Sequence, residues 1–197
     1  TLADPEVARL LRSEISEPNA RFIGSDPQDI RRVIDNPGQP KRLNVVLVTI
    51  ESLSAKYLGS FGDTRGLTPN LDQLRKQSLS FSNFYATGTR TDRGLEAISL
   101  SMPPTPGRSI VKRVGRESGF GSLGQQFRAQ GYDSVFLYGG RGYFDNMNAF
   151  FGGNGYRIVD QSSVADADHA SGKPFFLQLM TTSNHRPYTY PDGRVDI

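Results

Sequence analysis

Chemistry in this chain is concentrated in the stretch Ala86-Thr87-Gly88-Thr89-Arg90-Thr91-Asp92-Arg93-Gly94, where hydroxyls, two guanidiniums and glycines gather just before a helical pattern. A helix start offers unpaired N–H groups and partial positive charge, which favour a phosphate or a developing alkoxide. Thr91 is therefore a candidate nucleophile. A threonine hydroxyl attacks poorly on its own and needs a base or a metal ion to hold it as alkoxide. Glu51 is the candidate for that help. It follows directly on the valine-rich run 43–50, and a carboxylate placed there must be met by positive charge, for which a divalent cation is a common answer. Plainer roles stand beside these: Thr91 as an ordinary helix cap, Glu51 as a turn cap or the partner of an arginine.

Elements must bring these side chains together. The run 43–50 reads as a strand buried on both faces of a parallel sheet. Thr68-Pro69 opens a helix over 69–77 with the threonine hydroxyl as cap, and residues 80–85 alternate like a second strand. Helical spacing resumes over 92–101, with Thr91 opening it. A helix over 122–130 ends at Gly131, a strand covers 133–138 before the Gly139-Gly140 turn, a helix lies near 145–151, and a last strand spans 174–182. Phe150, Phe151 and Tyr156 are expected in the core. Residues 1–42, with Pro18, Pro27, Pro37 and Pro40, read as a lead-in packed on the domain, with helices at 4–14 and 27–34. The alternation predicts an α/β domain with a mostly parallel central sheet flanked by helices. Ligands of such sheets sit at the carboxyl ends of the strands. Four segments then share one rim: Glu51-Ser52, residues 88–93, residues 139–145 and Ser183-Asn184-His185.

The composition sets outer bounds. With 197 residues, 36% hydrophobic and 22% charged, the chain suits one ordinary globular domain. Its net charge is only +3 and its Lys and Arg residues are scattered, so nucleic acid is not an expected partner. The absence of cysteine excludes disulfides, thiolate metal sites and a Cys nucleophile. No apolar run approaches the roughly 20 residues of a membrane span. The first residue is Thr, and the true N-terminus is expected to lie elsewhere.

Four motifs occur in order: VVLVTIES over 45–52, TPNLDQL over 68–74, GTRTDRGLEA over 88–97, and the segment 138–151. Together, from about residue 43 to 188, they resemble the lipoteichoic acid synthase-like branch of the alkaline phosphatase and sulfatase superfamily. The resemblance implies an alkaline phosphatase-like fold, a bound Mn²⁺ or Mg²⁺ ahead of Zn²⁺, and a threonine that forms a covalent phospho-enzyme. Glu51 matches the family's metal-binding glutamate, and Thr91 the threonine that both ligates the metal and attacks phosphorus. Arg141, Asp145 and Asn146 fall in a segment matching the family's head-group pocket. Asn184 and His185 match a substrate-side motif, although a lone His at a strand end is more often structural. Arg93, beside the nucleophile, is grouped with the substrate-binding residues.

The implied reaction moves glycerol phosphate from phosphatidylglycerol to a glycan or polymer acceptor. Phosphoethanolamine transfer, sulfatase-like hydrolysis and an inactive head-group-binding module are the alternatives. Membrane segments upstream of Thr1 would hold the catalytic domain on the extracytoplasmic side of the cytoplasmic membrane. Ser101-Met102-Pro103-Pro104-Thr105 has Thr where a formylglycine-type sulfatase frame needs Arg, which disfavours sulfate-ester hydrolysis by that route. The family's Asp-His metal pair should follow an apolar strand, whereas Asp168-His169 sits in a polar stretch and reads as an exposed loop. The fold is therefore expected to be incomplete at its C-terminus, with further metal ligands downstream of 197. The connection 160–173 is short beside the longer helical insert with a Trp-Gly pair that the resemblance implies there, and a joint within 164–167 would agree with that.

Overall fold

The computed structural model describes residues 3–162 and 172–182. The chain divides into two compact units, Thr1–Arg42 and Leu43–Ile197.

In the first unit, α1 (Asp4–Glu14) carries proline in its first turn and Asp4 and Glu6 beside the positive end of its dipole. Strands β1 (Ala20–Phe22) and β2 (Arg32–Ile34) form an antiparallel pair. The helix expected over 27–34 does not form. Asp26 Oδ1 accepts the Gln28 N–H at 2.8 Å and Asp29 Oδ1 the Arg31 N–H at 3.0 Å, so side chains take the groups a helix would have used. Arg12 Nη2 donates to the Asp26 and Asp29 carbonyls, both at 2.7 Å, tying this turn to α1.

The second unit is built on β3 (Val45–Thr49), β4 (Asp133–Tyr138), β5 (Arg157–Val159) and β6 (Phe175–Met180), all parallel in the order β3-β6-β4-β5. Flanking helices are α2 (Pro69–Arg75), α3 (Thr91–Leu100), α4 (Leu123–Ala129) and α5 (Met147–Gly153). The α/β class and parallel sheet are as expected. Met180 is in register with both Thr49 and Tyr138, so three strands end level and open onto one rim.

Local departures have local causes. Residues 80–85 join no ladder among the described residues, and Phe81, Phe84 and Tyr85 are 65%, 84% and 80% exposed. Residues 88–93 therefore reach the rim from a loop rather than from a strand end. β3 is not buried on both faces: Val46 and Val48 are more than half exposed, while Val45 and Leu47 pack against the core. Among the described residues it pairs only with β6, so its other edge carries no strand. Thr68 does not cap α2 with its side chain; its hydroxyl instead donates to Asp72 Oδ2 at 3.0 Å. The helix near 145–151 is split into a 3₁₀ turn, Phe144–Asn146, and α5.

Aromatic rings fill the core. Phe136 stacks on Phe151 with centroids 3.6 Å apart, and Phe127 on Phe176 at 4.3 Å. Phe150, Phe151 and Tyr156 are all buried, as expected. The Tyr156 hydroxyl donates to Gln178 Oε1 at 2.8 Å and accepts the Gly124 N–H at 3.0 Å, which satisfies a buried glutamine on the central strand. Burial pushes this phenol up to about 12. A Cβ at position 124 would overlap the Tyr156 ring. Gly124→Ala is thus expected to cost about 1–3 kcal/mol in urea unfolding, and an unchanged midpoint would show that the ring can move aside.

Candidate active site

Glu51 lies immediately beyond the rim end of β3 and is 9% exposed. Its N–H donates to Thr181 Oγ1 at 3.3 Å, and the Thr181 N–H donates to the Thr49 carbonyl at 3.1 Å. The residue after β6 therefore fixes the turn after β3. Thr91 is the first residue of α3, with Arg90 as the extended cap residue. The Thr91 hydroxyl does not cap its helix. Instead Oγ1 donates to Glu51 Oε1 at 2.5 Å, a contact across 40 residues of sequence that joins the two candidates directly. Among the described residues Glu51 meets no arginine, so neither plain role describes this geometry.

The pair opens on a cleft of about 270 Å³ whose walls include Asp92, Lys112, Phe144 and Asp145. Asp92 is buried, with Oδ1 lacking a hydrogen-bond partner among the described residues and Oδ2 3.7 Å from Lys112 Nζ. Lys112 Nζ also sits 2.8 Å from Asp145 Oδ1. Asp145 and Asn146 are consecutive non-glycine residues in the left-handed region, at φ 54° and 63°. Such conformations persist only where surroundings enforce them. Here Asn146 Nδ2 donates to the Val111 carbonyl at 3.0 Å. Tyr138, at the end of β4, has its phenol pushed up by burial and then by the negative charges of Glu51 and Asp145.

Two buried carboxylates hold the walls. Glu96 of α3 is 1% exposed and receives Arg93 Nη1 at 2.8 Å, Ser109 Oγ at 2.8 Å and the Ile110 N–H at 2.6 Å. Asp160 Oδ2 receives the Gly142 N–H at 2.9 Å and Asn148 Nδ2 at 3.0 Å, pinning the loop after β4. Hydrogen bonds from Ser162, Asn148 and Gly142 hold the Asp160 carboxyl below its ordinary range. A carboxyl lowered on folding stabilises above its unfolded pKa, near 4, and loses that contribution as pH falls. Asp160→Asn is expected to be less stable than the parent at neutral pH, with the gap shrinking below about pH 4 in melts across a pH series. A pH-independent gap would contradict the charge argument.

The other expected site residues are dispersed. Arg93 is engaged with Glu96 and the Gly107 carbonyl, and it does not line the cleft. Arg141 is exposed on the loop after β4. Asp145 lines the cleft and Asn146 braces it. Asn184 and His185 lie outside the described residues, as do Asp168, His169 and the 164–167 stretch. Lys112, Asp92, Glu96 and Asp160 were not marked by sequence. A larger cleft of about 570 Å³ is walled by side chains such as Phe61, Leu71, Leu74 and Phe81; among the described residues Arg75 is its single charged wall residue, and they give it no acid–base pair.

Whether a metal ion suits these residues turns on the donors. The Glu51 carboxylate and Thr91 hydroxyl are hard oxygen donors already in contact, the type that Mg²⁺ and Mn²⁺ prefer. Among the described residues no group of three or more His, Cys, Asp or Glu side chains is placed to hold a metal. These residues therefore fit part of a divalent site. Among the described residues no helix is long and apolar enough to cross a membrane.

A model of the sulfatase family matches residues 43–169. The phosphoglycerol transferases I of two Xanthomonas campestris pv. campestris strains, B100 and ATCC 33913, are each 26% identical over 187 residues, which covers 77% of this chain and 26% of theirs. The chain thus spans about a quarter of the length of these curated relatives. A protein in the alkaline phosphatase superfamily from Vibrio parahaemolyticus superimposes with a TM-score of 0.75 at 34% identity, over 98% of this chain and 52% of that one. The lipoteichoic acid synthase LtaP from Listeria monocytogenes shares the fold at a TM-score of 0.65 and 18% identity, covering 80% of this chain and 44% of LtaP. So does the C-terminal periplasmic domain of EcEptC from Escherichia coli in complex with Zn, at 0.55 and 16%, covering 80% of this chain and 50% of that one. Since the family match spans most of the chain and begins where the second unit begins, this chain belongs to the sulfatase family, within the alkaline phosphatase superfamily.

Proposed function

We propose that this chain carries the nucleophile-bearing part of a divalent-metal-dependent phosphoglycerol transferase, which takes glycerol phosphate from an anionic lipid head group through a phosphothreonine-type intermediate on Thr91. The observation that supports it most is the 2.5 Å contact between the Thr91 hydroxyl and Glu51 at the rim of the sheet. The relatives named phosphoglycerol transferase I favour this head group over others.

Thr91 Oγ attacks phosphorus, forming an O–P bond as the ester bond to diacylglycerol breaks. The proton lost by Thr91 has Glu51 Oε1 as its nearest acceptor, and one proton finally goes to the diacylglycerol oxygen. An acceptor hydroxyl on a glycan or polymer then displaces Thr91, which regains its proton. The start of α3 stabilises negative charge gathering near Thr91. Glu51 and Thr91 would hold a Mn²⁺ or Mg²⁺ ion, which when bound favours the alkoxide and offsets charge on the phosphoryl oxygens. The lipid donor implies work at the outer face of the cytoplasmic membrane.

Full-length protein incubated with a phosphatidylglycerol analogue and Mn²⁺ is expected to give a Thr91 peptide heavier by one glycerol phosphate in tandem mass spectrometry. A phosphoethanolamine adduct from a mixed-lipid reaction would reassign the donor. An unmodified Thr91 peptide during active turnover would overturn the covalent route.

A further inference from the structure

Beyond the Glu51 and Thr91 pair, the cleft contains a cation whose placement nothing in the transfer reading requires. Lys112 ends the 3₁₀ turn Ile110–Lys112, which is fixed from three sides. Glu96 Oε2 accepts the Ile110 N–H, Ser109 Oγ accepts the Val111 N–H at 3.3 Å, and Asn146 Nδ2 reaches the Val111 carbonyl. Ile110 and Val111 are buried at 2% and 0% exposure, whereas the Lys112 side chain is 28% exposed and reaches the cleft that Glu51 and Thr91 line. A fixed turn thus delivers one ammonium to the cleft.

The charge pattern gives that ammonium a task. Glu51, Asp92 and Asp145 bring three carboxylates to the cleft, against Lys112 and the exposed Arg90. A phosphodiester or phosphate entering this acidic space meets repulsion unless a cation faces it. Lys112 makes one close contact, to Asp145 at 2.8 Å, while Asp92 at 3.7 Å lies beyond hydrogen-bond reach. An ammonium has three N–H donors, so two have no hydrogen-bond partner among the described residues. We infer that Lys112 binds the phosphoryl oxygens of the group delivered to Thr91, with Asp145 holding the ammonium in position between substrates. This rests on the transfer reading for its substrate class, but on the geometry of the 110–112 turn for its residue.

The competing role is a structural tie between α3 and the 144–146 loop, and phosphate binding separates the two. In calorimetric titration of the full-length protein with inorganic phosphate and Mg²⁺, affinity is expected to fall about tenfold or more in Lys112→Met. Lys112→Arg should recover much of the loss. Asp145→Asn removes the tie yet keeps the ammonium, and it should bind phosphate at least as tightly as the parent. Equal affinity in Lys112→Met, a wild type that does not bind phosphate, or a loss in Asp145→Asn as large as in Lys112→Met would each overturn the assignment. Lys112-dependent binding with no adduct on Thr91 would keep the lysine assignment and overturn the transfer route. An adduct on Thr91 with binding indifferent to Lys112 would do the reverse.

Discussion

On the proposed phosphothreonine route, Thr91→Ala is expected to lower turnover of phosphatidylglycerol by at least about a thousandfold, because removal of the proposed attacking hydroxyl leaves only binding and electrostatic effects to act. The substitution is a clean test here. Thr91 is the first residue of α3 rather than its cap, and alanine is well suited to a helix, so the melting temperature should hardly move. Thr91→Ser keeps an oxygen at the attacking position and should retain measurable transfer. Glu51→Gln preserves shape and an acceptor while removing the charge, and its loss should approach that of Thr91→Ala if the carboxylate holds either proton or metal. Release of diacylglycerol, followed by thin-layer chromatography, reads all three. Turnover by Thr91→Ala within a few-fold of wild type would remove the nucleophile assignment.

Glu96→Ala should destabilise the second unit strongly. The carboxylate is 1% exposed and serves Arg93, the Ser109 hydroxyl and the Ile110 N–H together. Removing it leaves the Ile110 N–H without its acceptor and takes the carboxylate partner from the Arg93 guanidinium and the Ser109 hydroxyl, at a cost of about 3–5 kcal/mol. Burial pulls this carboxyl up, but hydrogen bonds from Arg93, Ser109 and Ile110 outweigh it and hold the group below its ordinary value. Its contribution is therefore present above the unfolded carboxylate range, near pH 4, and lost as pH falls. Urea unfolding at neutral pH gives the magnitude. A loss under about 1 kcal/mol would show that water replaces the carboxylate and that the 109–112 turn needs no anchor. Because that turn carries Lys112, the same variant should also blur the wall of the cleft.

Where the sequence punctuates itself, structure was legible. Asp133–Tyr138 lies between Gly131 and the Gly139-Gly140 turn and was placed to the residue, and the start of α3 at Thr91 was read from a change in hydrophobic spacing. Glu51 and Thr91 could be paired because both sit where an element begins or ends and because the motifs around both resemble those of one family. β5 was missed, since three residues are too few to show a period. Residues 27–34 have a helical look, but Asp26 and Asp29 compete for the backbone and a strand results. Residues 80–85 alternate as a strand should, yet alternation names no neighbour, and none pairs with them among the described residues. Lys112, Asp92 and Glu96 belong to contacts spanning 13 to 33 residues in the chain, for which no spacing rule exists.

The half-covered first strand has a practical bearing. Among the described residues β3 offers backbone N–H and C=O groups along the edge away from β6, and Val46 and Val48 project from it into solvent. A strand edge of that kind is a template on which other chains can assemble. The strand that leads into Glu51 thus carries this open edge as well, a few residues from the candidate site.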